Sequence, residues 1–330
     1  MRFKKILVTG SSAVLGSAFK RIAKDYPDNE FVFLTSRDCD LTNFEDTEEC
    51  IIKHKPDAII HLAAVSGGIG LSMKYPATML RDNAMMGFSI LEAARKQGVK
   101  KVILTLTTGM YPTNAPLPLT EVNIHDGAPH DNNYGSSFGK RILEPAVRAY
   151  REEYGMNVIG LIPSGIFGEN DNFNYDDAPM LPSLIRRFYE NRNTDSPIEI
   201  WGDGKPLREY TYASDMARIY MWALENYDDG QCINIGTTEE NTIADIAYMI
   251  ADELGVDRNR VVFNTNKPNG IYRKNTNNEL FVKASGWKYV SFKEGLRNTL
   301  KWFNDTYQND RESIRLYSKV KTSQTNEARQ

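Results

Sequence analysis

The 330-residue chain is 41% hydrophobic, enough to bury a large core and to form about two lobes. With 40 basic against 43 acidic residues the formal charge is −3, which offers no basic face to nucleic acid or an anionic membrane but is compatible with a local Arg/Lys pocket for phosphate. The three cysteines, Cys39, Cys50 and Cys232, show neither CxxC spacing nor a Cys/His cluster, so they read as reduced thiols, with no disulfide framework and no metal expected.

The opening MRFKKILVTG runs straight into a strand and leaves no room for a signal peptide's apolar region. No apolar run approaches the ~20 residues that span a bilayer, so the expected compartment is the cytoplasm. Ile6-Leu7-Val8 ends in Thr9-Gly10 and is followed by the helical pattern Ala18-Phe19-Arg21-Ile22-Ala23, which predicts the start of a βαβ unit. Between them Gly10, Ser12, Ala13, Val14, Leu15 and Gly16 form a G-x-x-A-x-x-G turn whose backbone N–H groups and helix N-terminus can face a pyrophosphate. A plain helix N-cap through Ser11 or Ser12 is the other reading of these residues.

The next strand is expected at Phe31 to Leu34, and Thr35-Ser36-Arg37 follow it. At that place an acidic residue suits the ribose 2′-hydroxyl of NAD and an arginine the 2′-phosphate of NADP, so Ser36 and Arg37 favour NADP, a surface arginine being the alternative. Asp40-Leu41 lies a few residues on. A strand over Ala58 to His61 ends in His61-Leu62-Ala63-Ala64, small residues past which a flat cofactor can run closely. A helix between Asn83 and Gln97 is closed by Gly98, and strands are expected at Val102 to Leu106 and Asn157 to Ile162. Strands alternating with helices predict a parallel sheet covered on both faces.

Beyond about residue 165 come an Asn/Asp-rich loop (Glu169 to Asp177), a helix over Leu181 to Glu190, a strand over Ile198 to Trp201 and the turn Gly202-Asp203-Gly204. Helices follow at Ile243 to Leu254 and Phe292 to Tyr307. The expected organisation is a nucleotide-binding domain over 1–165, a smaller lobe over 166–307 with some segments returning to the first sheet, and a mobile polar tail over 308–330.

TGxxxxxG, Asp40-Leu41, His61-Leu62-Ala63-Ala64, Asn83 and Lys140, in this order, resemble the extended short-chain dehydrogenase/reductase family, and most of all its branch that epimerises and reduces GDP-4-keto-6-deoxyhexoses. The second half carries that resemblance in Phe167-Gly168, Asp171-Asn172-Phe173, the run Leu181 to Phe188, Trp201-Gly202-Asp203-Gly204, Arg208-Glu209-Tyr210, Lys267-Pro268-Asn269-Gly270 and Arg273-Lys274. It implies an α/β, Rossmann-type doubly wound parallel sheet with a smaller C-terminal substrate lobe, NADP as cofactor with Pro163 among its contacts, a GDP-sugar as substrate or ligand, and a homodimer.

The family's hydroxyl and lysine positions are Thr107 and Lys140, while its catalytic tyrosine falls on Ser136, its epimerising cysteine on Gly109 and histidine on Pro179, and one further polar asparagine on Gly165. A serine hydroxyl is far more basic than a phenol, and neither glycine nor proline can move a proton. Tyr134, Tyr111, His125 and His130 are the neighbours that could substitute, or be packing tyrosines and solvated histidines. Arg187 and Arg208 suit a diphosphate through bidentate bonds, Trp201 suits a base or sugar face, and Lys274 is a further cation. The expectation is therefore an NADP-dependent GDP-sugar epimerase/reductase with impaired or altered catalysis. The alternatives are a nucleotide-sugar-binding homologue acting as a partner or regulator, and an enzyme that keeps hydride chemistry alone.

Overall fold

The computed structural model describes residues 2–316. β1 (Lys5–Thr9) leads into α1 (Val14–Ile22), β2 (Glu30–Phe33), α2 (Phe44–His54) and β3 (Ala58–His61). α3 (Ile69–Lys74) and α4 (Pro76–Lys96) precede β4 (Lys101–Thr105), and a long loop then reaches α5 (Tyr134–Arg141), α6 (Leu143–Tyr154) and β5 (Val158–Ile162). The second half adds β6 (Gly165–Phe167), α7 (Met180–Asn191), β7 (Ile198–Trp201), β8 (Leu207–Tyr212), α8 (Ala213–Asn226) and β9 (Ile233–Asn234). β10 (Glu240–Thr242), α9 (Ile243–Leu254), β11 (Val261–Asn264), α10 (Glu279–Ser285) and α11 (Phe292–Asn309) complete it.

Six strands form a parallel sheet in the order β2-β1-β3-β4-β5-β9. The order turns back on itself at β1, so a crevice opens at the carboxyl ends of β1 and β3, where doubly wound sheets bind ligands. Alternation along the strands builds two cores. Leu7, Ile59, Leu104 and Val158 face α2, α4 and α6, while Ile6, Ile60, Ile103 and Ile159 face α1 and α8. The third core, with Phe167, Phe188, Ile246 and Phe303, belongs to the smaller lobe. The lobes are joined by a mostly buried network: Arg21 of α1 pairs with Glu169 at 2.9 Å and donates to Asn170, and Tyr212 donates to the same Glu169 at 2.5 Å.

Three expectations about elements are corrected. The helix expected from Asn83 begins two turns earlier at Pro76, whose lack of an N–H suits a first helical position, and the added turns expose Leu80 and so blur the apolar stripe. α8 has no counterpart among the expected elements. It is buried against the sheet on one side and Phe281 of α10 on the other, so its sequence shows little polar face. The segment 308–316 is docked rather than a free tail: α11 runs to Asn309, Ile314 and Leu316 are buried, and Phe173 N–H donates to the Arg315 carbonyl at 3.0 Å. The rest of the expected tail, 317–330, lies outside the described residues.

Candidate active site

At the end of β1, Gly10 has φ +65°, and a Cβ there would lie 2.8 Å from the Ala63 backbone. The β1–α1 turn and the end of β3 therefore touch, as a glycine alone permits. Thr9 fixes the second side of this crevice, its hydroxyl accepting from Leu62 N–H and Ala63 N–H at 3.1 Å each. Its proton is then free for His61 Nδ1 at 3.0 Å, which leaves the buried imidazole neutral with its pKa held well below 6.5 by burial. α1 opens at Val14 with Ala13 as its cap, no side-chain cap bond and no acidic residue in its first turn. The N-cap reading for Ser11 and Ser12 is thereby set aside: Ser11 Oγ is buried without a partner among the described residues, and the helix N-terminus carries no side-chain cap that would compete with an anion.

Gly16 closes the cradle, since a Cβ there would lie 2.4 Å from the Gly10 carbonyl. Ser36 and Arg37 are exposed beyond β2, in a turn held by Asp38, which accepts from Thr35 N–H and Oγ–H. Asp40 accepts from Thr42 N–H and Oγ–H, so its carboxylate shapes the next turn. The Leu15 and Leu41 side chains are part of the two sheet cores, which leaves their main chain to face a ligand. Ala64 is exposed, and Pro163 is buried just after β5.

The far edge of the crevice is built by β4, α5 and the loop between them. Thr107 accepts from Gly109 N–H at 3.1 Å, which leaves its own proton to donate outward. Lys140 is buried in α5, and its ammonium has one hydrogen-bond partner among the described residues, the Ala63 carbonyl at 3.5 Å. Burial brings its pKa down to about 8. Ser136, partly exposed, stands one helical turn before it.

Of the neighbours that could substitute for a phenol at 136, Tyr111 is buried and donates to Asn234 Oδ1 at 2.9 Å, and burial raises its pKa. His125 Nε2 lies 2.7 Å from Glu144 Oε2, His130 Nδ1 accepts from Asn132 N–H, and Tyr134 is exposed. Gly165 has no room for an asparagine, because a Cβ would lie 2.9 Å from the Tyr210 ring. Pro179 caps α7, two residues after Asp177, whose carbonyl accepts from Gly68 N–H at 3.1 Å.

Asn133 and Ser137 are functional candidates that the residue pattern does not single out. A Cβ on Gly109 would lie 3.2 Å from Asn133 Nδ2 and 3.4 Å from both Ser137 Oγ and Thr107 Oγ1. The available signal was that Asn133 immediately precedes the lysine-bearing helix; its contact with Gly109 depends on a loop crossing.

In the smaller lobe, Arg187 donates to the Glu199 carbonyl of β7 at 2.6 Å, and Arg208 donates to the carbonyls of Leu207 and Ile271. Trp201, 57% exposed at the end of β7, has the Lys267 ammonium 5.2 Å from its ring centroid. Asn269 accepts from Asp203 N–H at 2.7 Å, so the 202–204 turn, the 267–271 segment and Arg208 form one wall. Lys274 is largely buried with its pKa lowered to about 8. Arg187, Arg208 and Lys274 pair with no carboxylate among the described residues, in contrast to Arg186 with Glu190 and Arg273 with Glu240. Among the described residues no three His, Cys, Asp or Glu side chains could hold a metal ion, and no helix is long and apolar enough to cross a membrane.

Residues 6–236 match the NAD dependent epimerase/dehydratase family. GDP-L-fucose synthase of Dictyostelium discoideum is 32% identical over 93% of this chain and 98% of its own length. GDP-L-colitose synthase of Yersinia pseudotuberculosis is 30% identical over 93% of this chain and 100% of its own. The crystal structure of a GDP-L-fucose synthetase from Naegleria fowleri bound to NADP superposes with a TM-score of 0.87 at 30% identity, covering 94% of this chain and 96% of that one.

Proposed function

The chain belongs to the NAD dependent epimerase/dehydratase family, and from that premise we propose that it is an NADP-dependent GDP-sugar epimerase/reductase whose proton chemistry is altered. One observation carries this reading. A buried, carboxylate-free Lys140 beside the crevice is set against a second group of carboxylate-free cations in the smaller lobe. An uncompensated charge is expensive to hold in a fold unless a ligand supplies its counterpart, and a dinucleotide and a nucleotide diphosphate are anions of the required kind. Relatives and a neighbour named for GDP-sugar synthesis, one of them bound to NADP, support the choice of ligands.

The chain's residues fit the cofactor. The Gly10–Gly16 turn and the uncapped α1 would hold the pyrophosphate, Ser36 and Arg37 the 2′-phosphate, Asp40, Leu41 and Leu62 to Ala64 the adenosine side, and Lys140 and Pro163 the nicotinamide side. When bound, NADPH supplies hydride. Thr107 donates a hydrogen bond to the sugar's carbonyl oxygen, Arg187, Arg208 and Lys274 hold the diphosphate, and Trp201 stacks on a ring. At 136 a serine replaces a phenol, and without it the reduction runs slowly, because losing a general acid forfeits about 10²- to 10⁴-fold. Gly109 and Pro179 supply no group to move a proton at the sugar's ring carbons, so the epimerising half-reaction is the more impaired.

We place the protein in the cytoplasm as a homodimer. Leu80 and Phe88 of α4 and Phe138 of α5, with Ile142 just beyond, expose apolar side chains on two packed helices, and the three cysteines are free. Calorimetric titration of NADPH and a GDP-sugar, paired with NADPH oxidation on GDP-4-keto-6-deoxymannose, tests the reading. Binding of both with slow turnover is expected. Binding without turnover, favoured by Ser136, would make it a sensor or partner instead, and failure to bind either ligand would refute it.

A further inference from the structure

Ser137 and Asn133 are polar side chains that the fold itself does not use. Ser137 is 1% exposed in the middle of α5, and its hydroxyl has no partner among the described residues. Asn133 is the N-cap of the same helix and is among the best residue types for that position. Its side chain nonetheless makes no cap bond, and its buried Oδ1 is also unpartnered. Both side chains reach the same place, the bare α-carbon of Gly109, where Thr107 Oγ1 joins them. Each unmet group lowers stability, and two such groups converging on one opening are suited to a bound polar partner.

We propose that Asn133, Ser137 and Thr107 form a seat beside Gly109 for a sugar hydroxyl on the carbon next to the reacting carbonyl. The proposal rests on the GDP-sugar reading above and makes the two serine and asparagine positions specificity-determining. The donor and acceptor pattern fits that group. Asn133 offers N–H donors and a carbonyl acceptor, Ser137 can do either, and Thr107, whose proton goes to the sugar carbonyl, keeps a second lone pair after accepting from Gly109 N–H. A hydroxyl both donates and accepts, whereas a methylene at the same place would leave two buried groups unmet. Position agrees as well: Thr107 follows β4 at the carboxyl edge of the sheet, and Ser137 is three residues before Lys140 on one helix. Gly109 provides the opening, because any side chain there would be pressed against all three polar atoms.

The test is Ser137→Ala, with Gly109→Ala as a second variant that fills the seat. Affinity for GDP alone, for GDP-4-keto-6-deoxymannose and for its 3-deoxy analogue is measured by calorimetry with NADP present. Thermal unfolding of each free protein is measured alongside. Ser137→Ala should weaken the hydroxylated sugar about tenfold, leave GDP and the deoxy analogue unchanged, and leave Tm equal or higher because an unmet hydroxyl has been removed. Gly109→Ala should weaken the hydroxylated sugar at least as much. Equal affinity of wild type and both variants for the hydroxylated sugar would overturn the proposal, as would a fall in Tm on Ser137→Ala, which would make the hydroxyl structural. Loss of GDP binding by the wild type would overturn the nucleotide-sugar reading and the seat with it.

Discussion

Replacing Lys140 by methionine should make the free protein more stable at neutral pH while abolishing its cofactor affinity. Among the described residues the ammonium, buried in α5, has one carbonyl at 3.5 Å and no carboxylate, and burial takes its pKa from 10.5 to about 8. At ~1.4 kcal/mol for each pH unit, holding that charge in the fold costs about 3 kcal/mol. The sign follows from proton linkage. The folded state binds this proton less tightly than the unfolded state, so the penalty is complete below pH 8 and fades as pH rises towards 10.5. Methionine keeps the length and loses the charge. With an unfolding entropy of ~2.1 cal/mol/K per residue, a gain of about 3 kcal/mol raises Tm by about 4 °C at pH 7. Thermal unfolding of both proteins from pH 7 to pH 10.5, with NADPH titrated at pH 7, checks this. A variant that melts at or below the wild-type temperature at pH 7, or a gap in Tm that does not narrow with pH, would refute the argument.

Ser136→Tyr restores a phenol one turn from Lys140 and should raise NADPH oxidation on the keto sugar by about 10²- to 10⁴-fold; unchanged turnover with intact binding would displace the site from α5. Arg37→Ala should weaken NADPH about tenfold or more while sparing NADH, and equal weakening in fluorescence titration would remove Arg37 from the 2′-phosphate. Lys101, wholly buried at the start of β4, shares its three N–H groups among the carbonyls of Ala223, Leu224 and Tyr227 and the Asp228 carboxylate at 2.6–3.0 Å. Lys101→Met leaves these buried carbonyls without a donor and should destabilise by about 1–3 kcal/mol in denaturant titration, with an unchanged midpoint contradicting the geometry.

The nucleotide end was legible because local sequence determines it. The strand of Ile6 to Val8 meets a glycine whose φ is positive, then a helix, and all of the contacts lie within a few residues or at the neighbouring strand end. The linear motif around Thr107 and Lys140 pointed to this part of the crevice, and the fold sets the Lys140 ammonium 3.5 Å from the Ala63 carbonyl at its edge. Asn133 and Ser137 were not, since asparagine before a helix reads as a cap and serine within one as filler; their unmet state arises only when β4 delivers Gly109 to α5. α8 escaped for a different reason: a helix covered on two sides loses the 3.6-residue contrast between apolar and polar faces. Residues 310–316 read as polar, yet Ile314 and Leu316 are the two apolar residues that anchor them.

The placement of α8 and β9 in the larger layer has a consequence for how the chain is made. Ile6, Ile103 and Ile159 lie on the sheet face that α1 and α8 cover, and α8 is encoded after β6, α7, β7 and β8 of the other lobe. A ribosome has therefore to deliver more than 60 further residues after β5 before that face is sealed, and Arg2, bonded to Glu225 and Asp228, is tied down only then. Neither lobe is an independent cotranslational unit. A fragment ending at residue 165 would carry an open apolar sheet and aggregate, whereas recombination between relatives should succeed only where the segments that share a core come from one parent.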